Sequence, residues 1–325
     1  MGQPVKILVA GGSYAGLSAA SHLYDLVYKG QSPAACEVEI TVVDERDGYS
    51  TGLRRNWPAA PRSLNRHEHL SDVHQHISSI QKSRHVVVVG GGAVGVEMAS
   101  EMKLLYPDLE VTLAHSRDKL LSSEPLPEVT KQKILQLLKE LGVRVLLGHR
   151  LEEMEAVQND DGEATYNLSF SNGLNMSANS ILHATSGSSP STEFLPSAAV
   201  DSKGYVKVQP SLMFDKSIPN HQYHFSAGDI NRWSGIKRCG VAMHGGQIVA
   251  HNIYQQILKD KLNQEPNFKD MDQVPPMIAL AIGNSAVAYA AESGTTWGRA
   301  VRETYFGQDY CWSFCWNQMG LNGSA

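Results

Sequence analysis

The sequence HVVVVGGGAVGVEMASE, from His85 to Glu101, decides the fold of this chain. Four successive valines are typical of a strand buried on both faces of a parallel sheet. Gly90, Gly92 and Gly95 follow with the spacing GxGxxG, and a helical pattern begins after them. A strand that ends in a glycine turn and opens a helix points main-chain N–H groups and the positive end of the helix dipole at an anion. The stretch therefore predicts a Rossmann-type unit that holds the phosphates of a nucleotide.

A second stretch of the same kind, VKILVAGGSYAGLSAASHL, begins at Val5. Its loop has serine where the other has the middle glycine, and serine is small and can donate a hydrogen bond to a phosphate. The residues of this loop are Gly11, Gly12, Ser13, Tyr14, Ala15 and Gly16. Two such units in 325 residues predict an α/β protein with two dinucleotide-binding domains.

The residues that end the second strand of each unit select the ribose. In the N-terminal unit these are Asp44, Glu45 and Arg46, and a carboxylate here accepts hydrogen bonds from the ribose hydroxyls of FAD or NAD. In the second unit they are His115, Ser116 and Arg117. The acid is missing there, and the groups present can receive the 2′-phosphate of NADPH. The alternative is that Arg117 and Asp118 form an ordinary surface pair.

The two units thus predict two different nucleotides, FAD at the N-terminal loop and NAD(P)H at the second. A nicotinamide gives two electrons as hydride, and a flavin accepts them and passes them on singly or in pairs. A chain that binds both is expected to be an oxidoreductase in which the two rings meet.

With these motifs the chain resembles the FAD-dependent NAD(P)H oxidoreductases of the apoptosis-inducing factor 2 type, the ferroptosis suppressor protein-like family. Residues 5–49 and 68–316 carry the resemblance, most specifically the stretches GGGAVGVEMASE and YPDLEVTLAHS. It implies that Gly228 and Asp229 bind the ribityl and phosphate region of the flavin. It also implies that Lys237, close to the flavin, pairs with Glu97 on the NAD(P)-site helix as the catalytic residues. The alternative for Lys237 and Glu97 is an ordinary surface lysine and an ordinary helix-surface glutamate.

The implied fold class is α/β, with two Rossmann-like three-layer domains, the FAD domain being discontinuous and truncated. The expected segments are a first FAD-binding segment (1–49), a linker with a helix near 67–82 (50–83), the NAD(P)-binding domain (84–188), a second FAD-binding segment (189–265), and a C-terminal hairpin and tail (266–325). YHFSAGDI, residues 223–230, is expected to be a short strand.

The family pattern is interrupted between Tyr49 and His85. Only 35 residues lie there, where the family has a small β-meander and a further strand of the FAD sheet. The family also has an Ala-Thr-Gly motif where the chain crosses back from the NAD(P) domain. Here Ser186 is inserted between Thr185 and Gly187 of that motif. The missing segment predicts either a gap in the sheet or an uncovered sheet edge. Either another segment fills the gap, or FAD binding is weakened, or the gene was joined incorrectly.

Composition excludes several classes of protein. A formal net charge of −5 argues against nucleic acid as the main partner. No apolar run reaches the length of a membrane span, and no signal peptide is evident, so a cytoplasmic protein without an integral membrane segment is expected. Four histidines near one helix have no completing acid or cysteine, so no metal site is expected; they are His67, His69, His74 and His76.

The cysteines and the aromatic tail each have two interpretations. Cys311 and Cys315 lie one helical turn apart, and reduced packing cysteines are favoured over a redox disulfide beside the flavin; the other two cysteines are Cys36 and Cys239. The tail residues Trp312, Phe314 and Trp316 either cover a flavin or quinone pocket or pack on the core.

The leading functional hypothesis is a FAD-dependent oxidoreductase that passes hydride from NAD(P)H to flavin and on to a quinone-like or other small acceptor. The alternative is a catalytically impaired NAD(P)-binding module with a binding or regulatory role, which the missing segment favours. A biosynthetic enzyme that uses its flavin for another reaction is a third possibility. The sequence does not indicate an oligomeric state.

Overall fold

The structure is a computed structural model that describes residues 3–29, 37–45, 65–158, 164–185, 190–232 and 235–321. The chain divides into two compact units. Unit 1 comprises Met1–Thr51, Ser189–Val274 and Cys311–Ala325, and unit 2 comprises Gly52–Ser188 and Pro275–Tyr310. Five residues discussed above lie outside the described residues, as does the linker before residue 65: Cys36, Arg46, Tyr49, Ser186 and Gly187.

The secondary structure follows the alternation of strands and helices expected for an α/β chain. The strands are β1 (Val5–Ala10), β2 (Val38–Val43), β3 (His85–Val89), β4 (Glu110–His115), β5 (Arg144–Leu147), β6 (Leu151–Gln158), β7 (Ala164–Phe170), β8 (Asn175–Ala178), β9 (Ser180–His183), β10 (Ile278–Ile282), β11 (Ser285–Ala290) and β12 (Gly294–Gly298). The helices are α1 (Tyr14–Tyr28), α2 (Arg66–Lys82), α3 (Ala93–Leu105), α4 (Glu128–Glu140), α5 (Cys239–Leu262), α6 (Arg299–Phe306) and α7 (Trp312–Gln318).

Unit 1 is built on the parallel pair β1 and β2 and on the helices α1 and α5. Apolar side chains of α1, α5 and β2 form one cluster, which includes Leu23, Val27, Val38 and Tyr254. The two helices approach closely because Gly246 of α5 has no side chain. A Cβ at that position would lie 2.4 Å from the main-chain oxygen of Ala15. The packing therefore fixes the start of α1, where the first glycine loop ends.

The sheet of unit 1 is small and open on one face. Within the described residues β1 pairs only with β2, and Leu8 of β1 is 68% exposed. The expectation of a strand at 223–230 is wrong: Phe225 makes only an isolated bridge to Met213. A strand requires a neighbour that pairs its main-chain groups along its length, and the described residues provide none there. Unit 1 is discontinuous in sequence, as expected for the FAD domain.

Unit 2 contains a four-stranded parallel sheet with the strand order β5-β4-β3-β9. The valines of β3 are almost completely buried, which confirms the buried strand expected from the sequence. Val87 and Val89 pack against Leu168 and Phe170 of the antiparallel sheet β6-β7-β8, while α3 and α4 contact the strands β3, β4 and β5. The antiparallel sheet, the parallel sheet and the helices form the three layers.

The C-terminal hairpin does not stand apart as its own segment. The expected hairpin is present: strands β10 and β11 pair antiparallel around a turn at Gly283 and Asn284, and β12 adds a third strand. Residues 275–310 belong to unit 2 and residues 311–325 to unit 1, so the expected segment 266–325 is divided between the two. The reason is apolar burial: Leu280 and Val287 are buried, and the hairpin contacts α3 and α4.

Candidate functional site

The first glycine loop has a backbone that only glycine adopts readily. Gly11 has φ +113°, and its N–H donates to the main-chain oxygen of Val43 at 2.7 Å. A Cβ on Gly16 would lie 1.8 Å from the main-chain oxygen of Gly11, so helix and turn approach each other too closely for any side chain. The sequence expectation for these two glycines thus has a geometric basis.

The start of α1 can receive an anion. Ser13 precedes the helix in an extended conformation and makes no side-chain cap, and the first turn contains no acidic residue. The first N–H groups of any helix lack intrahelical acceptors, so this end of α1 favours a negative charge. Ala15 lies against Gly228, where an added Cβ would be 3.2 Å from the Cβ of Ala15. The fold of unit 1 thus brings Gly228 to the glycine loop, as the FAD-site prediction requires.

Asp44 closes the loop from the end of β2. Its Oδ2 accepts a hydrogen bond of 2.5 Å from the N–H of Gly12. Asp44 and its neighbour Glu45 are exposed, so a ribose can reach their carboxylates from the solvent side. Arg46 lies outside the described residues.

Lys237 and Asp229 lie together in unit 1. Lys237 donates to the main-chain oxygen of Asp229, and its Nζ lies 4.1 Å above the centre of the Tyr205 ring. Asp229 is exposed over much of its surface, yet partial burial of its carboxyl raises its pKa, and the charge of Lys237 opposes that effect. The ammonium group is therefore held beside Gly228 by one main-chain oxygen and one aromatic face.

The second glycine loop repeats the geometry of the first. Gly90 has φ +122° and donates to the main-chain oxygen of Ala114 at 2.8 Å, and a Cβ on Gly95 would lie 1.8 Å from the oxygen of Gly90. Gly92 precedes α3 in an extended conformation, and a Cβ there would meet no atom within 4 Å. The first turn of α3 has neither a side-chain cap nor an acid. This end of the helix is therefore open to an anion as well.

His115 takes the place that Asp44 has in unit 1. Its Nδ1 accepts from the N–H of Gly91 at 3.0 Å, and its Nε2 lies 3.1 Å from Oγ of Ser122. Burial lowers the pKa of His115, and the charge of Arg117 lowers it further. The ring is therefore neutral with its proton on Nε2, and both nitrogens are engaged within unit 2. Ser116 and Arg117 are the exposed groups at this strand end.

Glu97 is a partly buried acid on α3. Its Oε1 accepts from the N–H of Ala281 in β10 at 3.2 Å, and the Oγ of Ser100 lies 3.3 Å from the oxygen of Ala281. Burial raises the pKa of Glu97 to about 7, with a smaller contribution from Glu101. Glu97 belongs to unit 2 and Lys237 to unit 1, so their expected pairing stays a prediction.

Sequence reasoning did not identify three residues of these sites. A Cβ on Gly91 would lie 2.8 Å from Cγ of His115, so the first x of GxGxxG must itself be glycine here. No local sequence pattern links Tyr205 to Lys237 or Ala281 to Glu97, which are 32 and 184 residues apart. Only the run of three glycines at Gly90 gave a signal that could have revealed Gly91.

The described residues contain no group of three or more His, Cys, Asp or Glu side chains that could hold a metal ion. Among the same residues, no helix combines the length and the apolarity needed to span a bilayer.

The rings of Trp312 and Trp316 stack with their centres 5.3 Å apart, and Trp316 packs with Cys315 while Trp312 and Phe314 are exposed. Packing on the core thus describes Trp316. The exposed Trp312 and Phe314 are compatible with the other interpretation, in which the tail covers a flavin or quinone pocket.

Comparison with protein families matches residues 49–246 to pyridine nucleotide-disulphide oxidoreductases. The oxidoreductase OXR1 of Ajellomyces capsulatus is 38% identical, over 98% of this chain and 88% of that protein. That alignment runs over 409 positions, so at least 84 of them have a residue of the relative and none of this 325-residue chain. The ferroptosis suppressor protein 1 of Homo sapiens is 31% identical over 155 residues, 47% of this chain but only 40% of that protein.

Solved structures share the fold at low identity. An NAD-dependent persulfide reductase from A. fulgidus matches with a TM-score of 0.61 and 17% identity, over 87% of this chain and 63% of that chain. A FAD-dependent pyridine nucleotide-disulphide oxidoreductase from Desulfovibrio vulgaris matches with a TM-score of 0.61 and 16% identity, over 87% and 76%. These likenesses confirm the expected fold class, with two Rossmann-like domains.

The residues present fit both cofactors at their phosphate and ribose ends. Each unit has a helix start without a side-chain cap behind a glycine turn, and the strand end beside it has carboxylates in unit 1 and Ser116 and Arg117 in unit 2. Together with the family match over residues 49–246, this identifies the chain as a member of the pyridine nucleotide-disulphide oxidoreductase family, enzymes that use FAD and NAD(P)H.

Proposed function

We propose that this oxidoreductase passes hydride from NADPH to FAD and then reduces a quinone-like small molecule. The observation that carries the proposal is the contrast between the strand ends beside two loops of similar geometry. Asp44 accepts from the N–H of Gly12, and neutral His115 accepts from the N–H of Gly91. The first strand end thus presents carboxylates to a ribose, and the second presents Ser116 and Arg117.

The residues of unit 1 would bind and orient FAD. The N–H groups at the start of α1 receive its pyrophosphate, and Asp44 receives the adenosine ribose. Lys237, held beside Gly228 and Asp229, places a positive charge where it favours an electron-rich flavin. Bound FAD supplies a ring that takes up hydride and releases electrons.

The residues of unit 2 would bind NADPH in the same way. The start of α3 receives the pyrophosphate, and the Arg117 guanidinium receives the 2′-phosphate. Glu97 has a pKa near 7 and is anchored to Ala281, so it can accept or donate a hydrogen bond at neutral pH. We assign Glu97 to a position beside the nicotinamide end of the bound cofactor.

A small diffusible acceptor fits the distribution of the cysteines. Before residue 239 the chain has a single cysteine, Cys36, so the stretch that holds the first glycine loop and α1 has no cysteine pair that could relay electrons from the flavin. The electrons are then expected to pass directly to the acceptor. The resemblance to the ferroptosis suppressor protein-like family supports a quinone-like molecule.

The test uses the purified full chain. We expect a yellow protein whose flavin absorbance bleaches when NADPH is added without oxygen and returns when a water-soluble benzoquinone is added. Bleaching that no quinone reverses would overturn the proposed acceptor. Failure to bleach with bound FAD present would overturn the proposed electron transfer.

One observation favours the second candidate, an NAD(P)-binding module without flavin chemistry. The sheet of unit 1 has two strands in the described residues, and Leu8 is 68% exposed on its open face. The alignment with the Ajellomyces capsulatus relative likewise contains many positions that this chain lacks. A colourless protein that takes up no added FAD but binds NADPH would establish the module and exclude the enzyme.

A further inference from the structure

Two cysteines of unit 1 lie face to face at the junction of α5 and α7. Sγ of Cys239 is 4.0 Å from Sγ of Cys315, although 76 residues separate them in the sequence. The pair lies in an apolar cluster with Met243 and Met319. Neither sulfur is part of a disulfide.

We infer that Cys239 and Cys315 are a thiol-modification site, which a peroxide converts to a reversible disulfide and a dithiol reductant restores. A disulfide bond is about 2.05 Å long, so the sulfurs need to approach by about 2 Å. Because α7 is a helix of only seven residues that packs on the cluster, a small shift of α7 can supply that approach. The inference does not depend on FAD or NADPH being bound.

Exposure gives the two sulfurs different roles. Cys239 is partly exposed as the first residue of α5, whereas Cys315 is 9% exposed and lies inside the cluster. A peroxide therefore reaches Cys239 first. Cys315 is protected from direct attack and placed to react with whatever forms on Cys239.

The chemistry balances with one peroxide per disulfide. The Cys239 sulfur attacks one peroxide oxygen, the O–O bond breaks, and Cys239 becomes a sulfenic acid as the first water leaves. The Cys315 sulfur then attacks the Cys239 sulfur, the S–S bond forms, and the S–O bond breaks to release the second water. The two thiols lose two electrons and two protons, and the peroxide gains them.

The link would tie the end of the described chain to the helix that follows the Gly228 loop. Tyr14 and Leu17, at the start of α1, pack on the same cluster. Oxidation would therefore fix α7 against the elements that form the first glycine loop. The disulfide also closes a loop of the chain that is open in the reduced protein, so the oxidised form is expected to melt at a higher temperature.

Peptide mapping tests the inference on the full chain. The protein is treated with hydrogen peroxide, its remaining thiols are blocked with N-ethylmaleimide, and it is digested with trypsin without reduction. We expect a cross-linked species that joins the peptide beginning at Cys239 to the peptide that contains Cys315, and we expect a dithiol to remove it. The cross-link should persist in Cys311→Ser, the matched control on the same peptide, and disappear in Cys315→Ser.

Three outcomes would overturn the inference. The first is a disulfide between Cys311 and Cys315, and the second is accumulation of Cys239 only as sulfinic acid. The third is a Cys239 thiol that survives the peroxide treatment and is still modified by N-ethylmaleimide. Circular dichroism of each variant tests whether the fold is retained. Flavin content and NADPH binding are measured on the same samples, so a failure of the proposed function is recognised separately.

Discussion

The main-chain N–H of Gly91 donates a hydrogen bond of 3.0 Å to Nδ1 of His115. This contact occupies Nδ1, while Nε2 lies 3.1 Å from Oγ of Ser122. His115 therefore shapes the loop, and we propose that the exposed neighbours Ser116 and Arg117 recognise a phosphate on the ribose. The sequence His115-Ser116-Arg117 alone does not show that His115 differs in role from its two neighbours.

The first prediction concerns cofactor preference. Arg117→Ala is expected to weaken NADPH binding by roughly tenfold, because it removes a charge-assisted hydrogen bond to the 2′-phosphate, and to leave NADH binding nearly unchanged. Titration of the purified chain with both nucleotides measures this. Arg144→Ala, at an exposed arginine of β5, is the control and should change neither affinity. Equal losses for NADPH and NADH would contradict a role in binding the phosphate.

The second prediction concerns Glu97 and pH. Its pKa in the folded state is about 7, above the ordinary value of 4.5, so stability is lost as pH rises from 4.5 through about 7. Glu97→Gln keeps an oxygen that can accept from Ala281 and cannot ionise. We expect the free energy of unfolding of the variant to depend less on pH than that of the parent. Above pH 7 it should exceed the parent value by at most about 3 kcal/mol.

Urea unfolding at several pH values, followed by circular dichroism, provides the measurement. Glu140→Gln, at an exposed glutamate of α4, is the control and should leave the profile of the parent unchanged. If the profiles of Glu97→Gln and the parent coincide, Glu97 is not a buried acid in solution. Loss of NADPH oxidation in Glu97→Gln, with its fold retained, would add support to the nicotinamide assignment.

The third prediction tests the support of Lys237. Tyr205→Leu removes the ring that lies 4.1 Å below the ammonium group, while Tyr205→Phe retains an aromatic face. We expect the turnover of NADPH by Tyr205→Leu to fall by about 2- to 5-fold, the equivalent of about 0.5–1 kcal/mol, with little change in KM. Tyr205→Phe should stay close to the parent. Similar losses in both variants would assign the effect to the hydroxyl group instead.

The fourth prediction concerns the contact of α1 with α5. Gly246→Ala places a methyl group 2.4 Å from the main-chain oxygen of Ala15, and neither backbone can yield without separating the helices. We expect a loss of about 1–3 kcal/mol in the free energy of unfolding. Gly240→Ala makes the same change on the same helix, where the nearest atom is Nη1 of Arg238 at 3.6 Å, and should be neutral or slightly stabilising. Thermal and urea unfolding compare the two.

Local patterns predicted the features of the site that local geometry determines. The GxGxxG spacing identified Gly90 and Gly95 because the contact between them spans only five residues. The partner of Glu97 was not predictable, since Ala281 lies 184 residues away and is brought there by the packing of β10 on α3. The strand expected at 223–230 was wrong because a strand depends on a neighbour, and the sequence of the strand itself does not show whether that neighbour exists.

The last prediction separates nucleotide binding from folding at a single loop. A Cβ on Gly92 would meet no protein atom within 4 Å, so Gly92→Ala should change the free energy of unfolding by no more than about 0.5 kcal/mol. In the glycine fingerprint this residue lets the main chain approach the pyrophosphate, so NADPH binding should weaken by roughly tenfold or more. Gly95→Ala, whose methyl group would lie 1.8 Å from the oxygen of Gly90, should instead destabilise the fold. If Gly92→Ala binds NADPH as tightly as the parent, the pyrophosphate does not approach the main chain closely at Gly92.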